Sequence, residues 1–220
     1  MGKKSGVIKG KGASQHIQYK NFYTNGITGG MIPIALGIGH SIKLQNKDNV
    51  VISFLGDGAM NEGYVMESLN MASVYKTPNI FILENNSFAM STETKKYTGG
   101  TFQKRVESFD IKFKKLKATD VLEVKNLFDE VYKFVKSKRK PFFIEFQTHR
   151  LCGHSKSDNR DYIDKEVDEF WKNNDPIKRL ENKIFDEELR NIKNRIKKRL
   201  EKEFKKAYKN AEVSPEKVLI

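Results

Sequence analysis

Two short apolar runs on either side of an amphipathic segment dominate the pattern of hydrophobic and polar positions. Residues 50–55 form the first run and are followed directly by the glycine turn Gly-Asp-Gly at 56–58. Residues 80–83 form the second run and lead into Glu-Asn-Asn at 84–86. Between the runs, apolar residues recur at helical spacing over 61–75. The pattern predicts a strand, a tight turn, a helix and a second strand, the outline of a parallel βαβ unit.

The rest of the chain predicts further elements of the same kind. A helix over 31–44 follows a glycine-rich loop, and another helix begins after Asp120, a good N-cap residue. Pro141 precedes an apolar, β-rich run over 142–146 that suits a buried parallel strand. We therefore expect an α/β fold, a parallel sheet flanked by helices, with a second crossover that leads into 142–146.

The length of 220 residues suits one α/β domain with a sizeable core, so we expect a single domain over 1–220. Residues 1–14 are rich in Gly and Lys and predict a flexible basic arm. Residues 185–220 predict a C-terminal helix with apolar residues along one side, then a loosely ordered tail after Ser214. The polar stretch 87–100 predicts a loop.

The positive net charge of the chain would by itself suggest a nucleic-acid partner. There are 41 Lys and Arg residues against 28 Asp and Glu, a net charge of +13. The excess lies largely in the last helix and is scattered along other helical faces, and no zinc-finger, RNA-recognition or homeodomain pattern accompanies it. We therefore predict no nucleic-acid partner. A positive field of this kind would also attract anionic small molecules.

The compartment can be predicted from apolar runs and cysteine usage. No apolar run approaches the length of a membrane span, and the first residues lack the apolar core of a secretory signal. The single cysteine excludes an internal disulfide and fits a reducing environment. We expect a cytoplasmic protein with no membrane partner.

Polar side chains at the ends of the two central strands are the first candidates for chemistry. Ligands bind open α/β sheets at the carboxyl ends of the strands, where Asp57 and Asn86 stand. Both are hard oxygen ligands that suit Mg²⁺, which usually shares its shell with phosphates of a substrate or cofactor. The backbone of Gly58 and Ala59, where the next helix begins, is suited to an anion. We expect Asp57 itself to lie in a surface turn.

The paired motifs GDG and NN are similar to the thiamine diphosphate fingerprint. The sequences GDGAMNEG, ESLNMA and ENNSFAMST around them resemble the alpha subunits of thiamine-dependent 2-oxo acid dehydrogenases, the first components of the pyruvate, acetoin and branched-chain complexes. This resemblance extends roughly over residues 9–179. It implies a thiamine diphosphate-binding fold in which Mg²⁺ is held by Asp57, Asn86 and the backbone carbonyl of Phe88.

The loop over 148–162 is a second candidate, because it is basic and follows a predicted strand. Its sequence RLCGHSKSD resembles the family's active-site loop, R-x-x-GHS-x-SD, although a solvated surface loop is the alternative. The resemblance implies that Arg150 reaches the diphosphate and that His154 faces the reacting centre. Histidine suits that role because it exchanges protons near neutral pH.

A third candidate segment lies before the first long helix. Residues Gly26, Ile27 and Thr28 match the family segment that lies against the aminopyrimidine ring of the cofactor. The alternative interpretation is a glycine loop that precedes a buried helix.

The resemblance also implies partners and a reaction. On this resemblance we expect the chain to bind a beta subunit, which carries the activating glutamate, in a heterotetramer α₂β₂. The enzyme would decarboxylate pyruvate, or cleave acetoin, and pass the acyl group to a lipoyl-bearing acyltransferase component. Met1 matches a point inside the family's alpha subunit, so diphosphate-binding residues of the family's N-terminal part lack counterparts here.

Several alternatives stay open on the sequence alone. The substrate class, pyruvate, acetoin or a branched-chain keto acid, cannot be chosen, since the pocket is shared with the beta subunit. A transketolase-like half shares the GDG motif but fits ENNSFAM poorly. An inactive or split-gene fragment that acts only as a binding remnant is the alternative from a different functional class.

Overall fold

The computed structural model describes residues 2–212. Within them the chain forms two compact units: one contains the described residues of Met1–Ile27 and Glu181–Ile220, the other contains Thr28–Leu180. The single domain expected over 1–220 stays a prediction, and the loose tail expected after Ser214 lies outside the described residues. No helix in the described part of the chain is both long and apolar enough to span a membrane.

The secondary structure alternates strands and helices through most of its length. In chain order the elements are β1 (Ile17–Tyr19), β2 (Phe22–Thr24), α1 (Met31–Leu44), β3 (Val51–Gly56), α2 (Gly63–Tyr75), β4 (Asn79–Asn85), β5 (Phe88–Ala89), β6 (Thr92–Glu93), α3 (Phe102–Glu107), β7 (Lys112–Lys117), α4 (Val121–Lys138), β8 (Phe142–Gln147), α5 (Lys165–Asn173), α6 (Pro176–Glu181) and α7 (Asp186–Lys209).

Four parallel strands form the central sheet of the second unit, in the order β3-β4-β8-β7. Leu55 on β3 is opposite Leu83 on β4, and Ile82 on β4 is opposite Ile144 on β8. The predicted parallel α/β fold is therefore confirmed. Strand β7 is an element that the sequence analysis did not predict.

The core lies on both faces of this sheet, as parallel sheets require. One face buries Phe81 and Phe143 with residues of α1, α2 and α3. The other face buries Ile80 and Ile144 against α4, whose Val135 is fully buried. Burying each such side chain contributes about 1.5–3 kcal/mol, which explains why the apolar runs were readable as strands.

The helices follow their predicted bounds closely, with one correction. Helix α1 covers the predicted residues, and the Asp120 side chain caps α4 by accepting a hydrogen bond from the Leu122 N–H at 2.8 Å. The helix expected from residue 61 begins instead at Gly63, after a separate 3₁₀ turn at Ala59–Asn61. The extended backbone of Glu62 separates the two, so the turn beside Asp57 is not part of a long helix.

The two edges of the sheet differ in chemistry. Edge strand β7 exposes four lysines, Lys112, Lys114, Lys115 and Lys117. Within residues 2–212, strand β3 pairs only with β4, and it exposes 42% of Ile52 and 60% of Phe54 on its uncovered face. Lysines on an edge strand oppose further strand pairing, whereas exposed apolar residues favour it.

The first unit contains the hairpin β1–β2 and the long helix α7. The predicted basic arm, residues 1–14, includes a 3₁₀ turn at Val7–Gly10, and Lys3 Nζ lies 3.1 Å from the Glu212 carboxylate. The apolar side predicted for α7 is present but is exposed at Ile196, Leu200, Phe204 and Tyr208.

Candidate functional site

Asp57 stands at the carboxyl end of β3 and is only 2% exposed. Its Oδ1 accepts a hydrogen bond from the Gly58 N–H at 3.0 Å, and its Oδ2 accepts one from the Thr94 hydroxyl at 2.6 Å. The expectation of a surface turn is therefore wrong, because the residues after β4 fold over the carboxylate. A buried carboxylate with ordered donors is a pre-oriented oxygen ligand.

A chain of polar contacts holds the turn after Asp57 in place. Asn61 donates from Nδ2 to the Asp57 carbonyl at 3.2 Å and to the Thr98 hydroxyl at 2.9 Å. Arg105 on α3 donates to Asn61 Oδ1 at 2.8 Å and to the Gly99 carbonyl at 2.7 Å. The turn is thus tied to the loop and helix that follow the hairpin, so its geometry depends on residues about 40 positions away in sequence.

The two asparagines at the end of β4 each fold the chain back on itself. Asn85 Oδ1 accepts from the Ser87 N–H at 3.0 Å, and Asn86 Oδ1 accepts from the Phe88 N–H at 3.0 Å. Such Asx turns let Asn replace backbone contacts at a strand end. The loop expected over 87–100 is corrected in one respect: it contains the hairpin β5–β6, in which Phe88 is opposite Glu93.

The hairpin and the glycine turn are in close contact. A Cβ atom at Gly58 would lie 3.0 Å from the Ala89 Cβ, so a glycine leaves the space that the hairpin occupies. Gly56 is opposite Glu84 in the β3–β4 register, which brings the ends of the two strands level. Asp57, Asn86 and Phe88 therefore follow neighbouring strand ends at the carboxyl end of the sheet.

The possible metal ligands at the carboxyl end of the sheet are unlike those of a His- or Cys-rich metal centre. No group of three or more His, Cys, Asp or Glu side chains arranged for a metal occurs among residues 2–212. The carboxyl end of the sheet offers the carboxylate of Asp57, the side-chain amide of Asn86 and backbone carbonyls, which are hard oxygen ligands that suit Mg²⁺. The chemistry of these residues thus fits a magnesium ion whose remaining ligands come from a phosphate.

The loop over 148–162 brings its two predicted residues together. Arg150 donates to the Met90 carbonyl, to the Tyr162 hydroxyl at 2.7 Å and to His154 Nδ1 at 3.2 Å. A guanidinium can only donate, so Nδ1 of His154 accepts and the proton of the neutral imidazole is on Nε2. His154 is exposed, which leaves this Nε2–H available to a bound molecule.

Asp158 is the residue around which the middle of this loop folds. It accepts hydrogen bonds from the Tyr162 hydroxyl at 2.7 Å, the His154 N–H at 2.6 Å and the Arg160 N–H at 2.9 Å. These donors, the Tyr162 hydroxyl first, lower the pKa of Asp158 from 3.8 to about 2. Burial raises the pKa of Tyr162, whose ring lies 5.2 Å from that of Phe88. The loop therefore touches the hairpin at Phe88.

A second acid anchors both ends of the loop to α5. Asp168 pairs with Arg160, lies 2.6 Å from Lys172 Nζ, and lies 2.8 Å from His149 Nε2. These partners, Arg160 first, hold the pKa of Asp168 well below its usual range. The His149 ring is buried and stacks on Trp171, with ring centroids 5.9 Å apart. The loop is thus fixed at its base and exposed at His154.

The third predicted segment lies where the two units meet in sequence. Gly26 and Ile27 belong to the first unit, where a Cβ at Gly26 would lie 2.5 Å from Gln15 Oε1 and Ile27 is exposed. Thr28 begins the second unit, and its carbonyl accepts a hydrogen bond from the Tyr64 hydroxyl. Their role toward an aminopyrimidine ring stays a prediction.

Sequence reasoning missed three residues that organise the site. Asn61 had a weak signal, because an asparagine beside a glycine turn is a common cap. Thr94 had none, since its contact with Asp57 depends on a hairpin that the sequence did not reveal. Tyr162 had no signal either, since its contacts with Asp158 and Arg150 depend on how the loop folds.

Comparison with known sequences assigns a family. The sequence model of the family described as the dehydrogenase E1 component matches residues 1–219. The chain is 37% identical over 191 residues to the pyruvate dehydrogenase E1 component subunit alpha of Rhizobium meliloti (strain 1021), which covers 84% of this chain and 55% of the relative. It is 35% identical over 195 residues to the somatic, mitochondrial form of that subunit from Homo sapiens, with 87% and 50% covered. The chain spans about half the length of these curated relatives.

Comparison with solved structures bears on the fold alone. The transketolase of Campylobacter jejuni subsp. jejuni NCTC 11168 aligns with a TM-score of 0.51 at 20% identity. The alignment covers 58% of this chain and 21% of the transketolase chain. The sheet and its flanking helices therefore form a transketolase-like fold.

Proposed function

This chain belongs to the dehydrogenase E1 component family, and we propose that it acts as the alpha subunit of a thiamine diphosphate-dependent pyruvate dehydrogenase. The single observation that carries the proposal is the buried Asp57 carboxylate, held by Gly58 and Thr94 at the end of β3. The relatives at 35–37% identity are named pyruvate dehydrogenase alpha subunits, which favours pyruvate over acetoin or a branched-chain keto acid.

In this proposal Mg²⁺ is held by Asp57, Asn86 and the carbonyl of Phe88. Each carboxylate oxygen of Asp57 accepts one described hydrogen bond, and an ionised carboxylate offers about four acceptor sites, so capacity for a cation is left. The backbone of Gly58 and Ala59 follows this carboxylate directly and would border a bound diphosphate. These residues bind and orient a charged group, and they take no part in bond cleavage.

Thiamine diphosphate, when bound, supplies the carbon nucleophile and electron sink for cleavage beside the keto group. Arg150 supplies a fixed positive charge toward the diphosphate, since its guanidinium is already oriented by Met90 and Tyr162. His154 presents the proton on Nε2 to the substrate, because Nδ1 is engaged by Arg150. In the same proposal, on the family resemblance alone, Gly26, Ile27 and Thr28 would lie against the aminopyrimidine ring.

The proposed partners are a beta subunit, in a heterotetramer α₂β₂, and a lipoyl-bearing acyltransferase component that accepts the acyl group. The activating carboxylate of the reaction is assigned to the beta subunit and to no glutamate of this chain. The compartment is proposed to be the cytoplasm. The alternative of an inactive fragment makes a different prediction in the assay below.

The assay is keto-acid-dependent reduction of an artificial electron acceptor, with thiamine diphosphate and Mg²⁺ in excess. The chain alone should give no turnover, and the chain assembled with its beta subunit should turn over pyruvate faster than acetoin or branched-chain keto acids. Robust turnover by the chain alone would contradict the two-subunit proposal. An assembled complex that binds thiamine diphosphate without turning over any keto acid would favour the inactive alternative.

A further inference from the structure

A buried contact between an acid and an amide links the core of the sheet to the turn after β4. Glu145 lies on β8 and is 2% exposed. Its Oε1 accepts a hydrogen bond from Asn85 Nδ2 at 2.9 Å and lies 2.9 Å from Lys115 Nζ. Lys115 is directly opposite Glu145 in the β7–β8 register, so the two charges pair across neighbouring strands.

A carboxylate buried at this position lowers the stability of the fold unless it is paired and hydrogen-bonded. Burying a charge requires a partner and hydrogen bonds, whereas an apolar side chain would fill the same place without that penalty. Phe143, two residues earlier on the same strand and face, is such a core residue. The Lys115 side chain is 45% exposed and that of Glu145 only 3%, so the pair extends from the surface to the Asn85 amide.

The chemistry of the contact fixes the orientation of the Asn85 amide. A carboxylate can only accept, so the NH₂ group of Asn85 faces Glu145 and its Oδ1 faces the other way. That Oδ1 accepts from the Ser87 N–H at 3.0 Å, and Ser87 has a left-handed φ of 69°. A non-glycine residue keeps such a conformation only where its surroundings support it. Glu145 therefore acts on the turn through one side-chain amide.

We propose that Glu145, supported by Lys115, is a positioning residue for the metal-binding turn. It fixes the Asn85 amide, and the Asn85 amide sets the turn from which Asn86 and Phe88 reach Mg²⁺. The inference rests on the proposed function, because Asn86 and Phe88 are metal ligands only in that proposal. Partners of this outer kind change metal affinity by about 10–100-fold when they are removed.

The test uses the Glu145→Gln variant, which keeps the shape of the side chain and removes its charge. Both contacts are made by Oε1, so the glutamine oxygen can keep them, but a neutral amide holds the Asn85 NH₂ group less strongly than a carboxylate and leaves the Lys115 charge unbalanced, which should loosen the turn at Ser87. We expect the Mg²⁺ concentration for half-maximal thiamine diphosphate binding to rise about tenfold, by calorimetry on the chain assembled with its beta subunit. In the cofactor-free chain, the Ser87 amide hydrogen should exchange faster than in the wild type.

Matched variants separate positioning from general stability. Lys114 is on the same strand as Lys115 and forms an exposed ion pair with Glu130 on α4. Lys114→Met removes this pair and should change neither measurement. In an Asn85→Ala background, Glu145→Gln should add no further loss of Mg²⁺ affinity, because its effect acts through Asn85. If Glu145→Gln does not fold, Lys115→Met should raise the half-maximal Mg²⁺ concentration in the same direction, and wild-type behaviour of Lys115→Met would then overturn the proposal.

Asp57→Ala distinguishes failure of this inference from failure of the proposed function. If Asp57→Ala binds thiamine diphosphate with wild-type Mg²⁺ dependence, the metal site itself is wrong and both proposals fall. If Asp57→Ala loses binding while Glu145→Gln shows wild-type Mg²⁺ dependence and Ser87 exchange, only the role of Glu145 is overturned.

Discussion

The hydroxyl of Thr94 donates a hydrogen bond of 2.6 Å to Oδ2 of Asp57 and joins the hairpin after β4 to the turn after β3. This contact buries the carboxylate and orients it at the same time. If the hairpin moved away, a charge at the end of the central sheet would lose one of its ordered donors. The orientation of the Asp57 carboxylate therefore depends on the hairpin being folded.

Replacing Thr94 by valine keeps the β-branched shape and removes the donor. We expect the free energy of unfolding to fall by about 2 kcal/mol, as for other hydrogen bonds to charged groups, and the affinity for Mg²⁺ and thiamine diphosphate to fall as well. Urea unfolding of the cofactor-free chain and calorimetric titration of the assembled enzyme measure the two effects. Thr92→Val, exposed on the same hairpin, is the control. Equal behaviour of the two variants would contradict the role given to Thr94.

Asp57→Asn tests the metal site with the least disturbance of the fold. The amide oxygen can still accept from the Gly58 N–H, and the amide nitrogen can donate to the Thr94 hydroxyl, so the turn should stay folded. We expect Mg²⁺-dependent thiamine diphosphate binding to be abolished, because the only charged ligand of the proposed set is lost. Calorimetry measures binding, and near-UV circular dichroism checks the fold. Wild-type cofactor affinity in this variant would refute the assignment.

His154→Ala should lower turnover far more than cofactor affinity. A group that acts on the reacting atoms is felt mainly in the transition state, and a positioned acid or base contributes about 10²–10⁴-fold. Steady-state kinetics of the assembled enzyme and calorimetry separate the two quantities. Lys156→Ala, in the exposed part of the same loop, should leave both unchanged. Turnover within about threefold of the wild type, below that range, would make His154 an ordinary loop residue.

Asp158→Asn should loosen the loop over 148–162 at neutral pH. The pKa of Asp158 is lowered from 3.8 to about 2, so its stabilising contribution is complete above pH 3.8 and is lost as the pH falls toward 2. Between pH 5 and 8 the wild-type loop should therefore not respond to this group. We expect trypsin to cleave the variant faster than the wild type after Arg150, Lys156 or Arg160, as followed by mass spectrometry.

The control for this experiment is Asp161→Asn, a neighbouring exposed acid. It should be cleaved at the wild-type rate, because the loop folds around Asp158 and not around Asp161. Equal cleavage of Asp158→Asn and the wild type would show that the loop is held by Asp168 and α5 alone.

The parts of the fold that could be predicted are those where burial dominates the sequence pattern. Strands β4 and β8 are buried on both faces, so their apolar runs were readable, and Asp120 marked the start of α4 by its capping chemistry. Strand β7 could not be predicted, because its apolar Phe113 and Leu116 stand among lysines whose charges face water at the sheet edge. Edge strands follow their surroundings more than their own composition.

Some residues of the candidate site also have a local sequence signal, and others do not. The positions of Asp57 and Asn86 at strand ends could be predicted because strand ends are local features of the sequence, whereas their role toward a metal stays a prediction. Thr94, Arg105 and Glu145 could not, since each acts through a contact between segments that are distant in the chain. The two-residue strands of the hairpin β5–β6 are too short to leave a periodic signal.

The unlike edges of the central sheet give the molecule a preferred side for self-association. A strand that approached β7 would have to strip water from four ammonium groups before any backbone pairing began. A strand that approached β3 would instead cover Ile52 and Phe54, and burying each fully is favourable by about 1.5–3 kcal/mol. Within the described part of the chain, sheet growth in concentrated solution is therefore directed to β3. Because β3 leads directly into Asp57, a strand added at this edge would lie beside the candidate site.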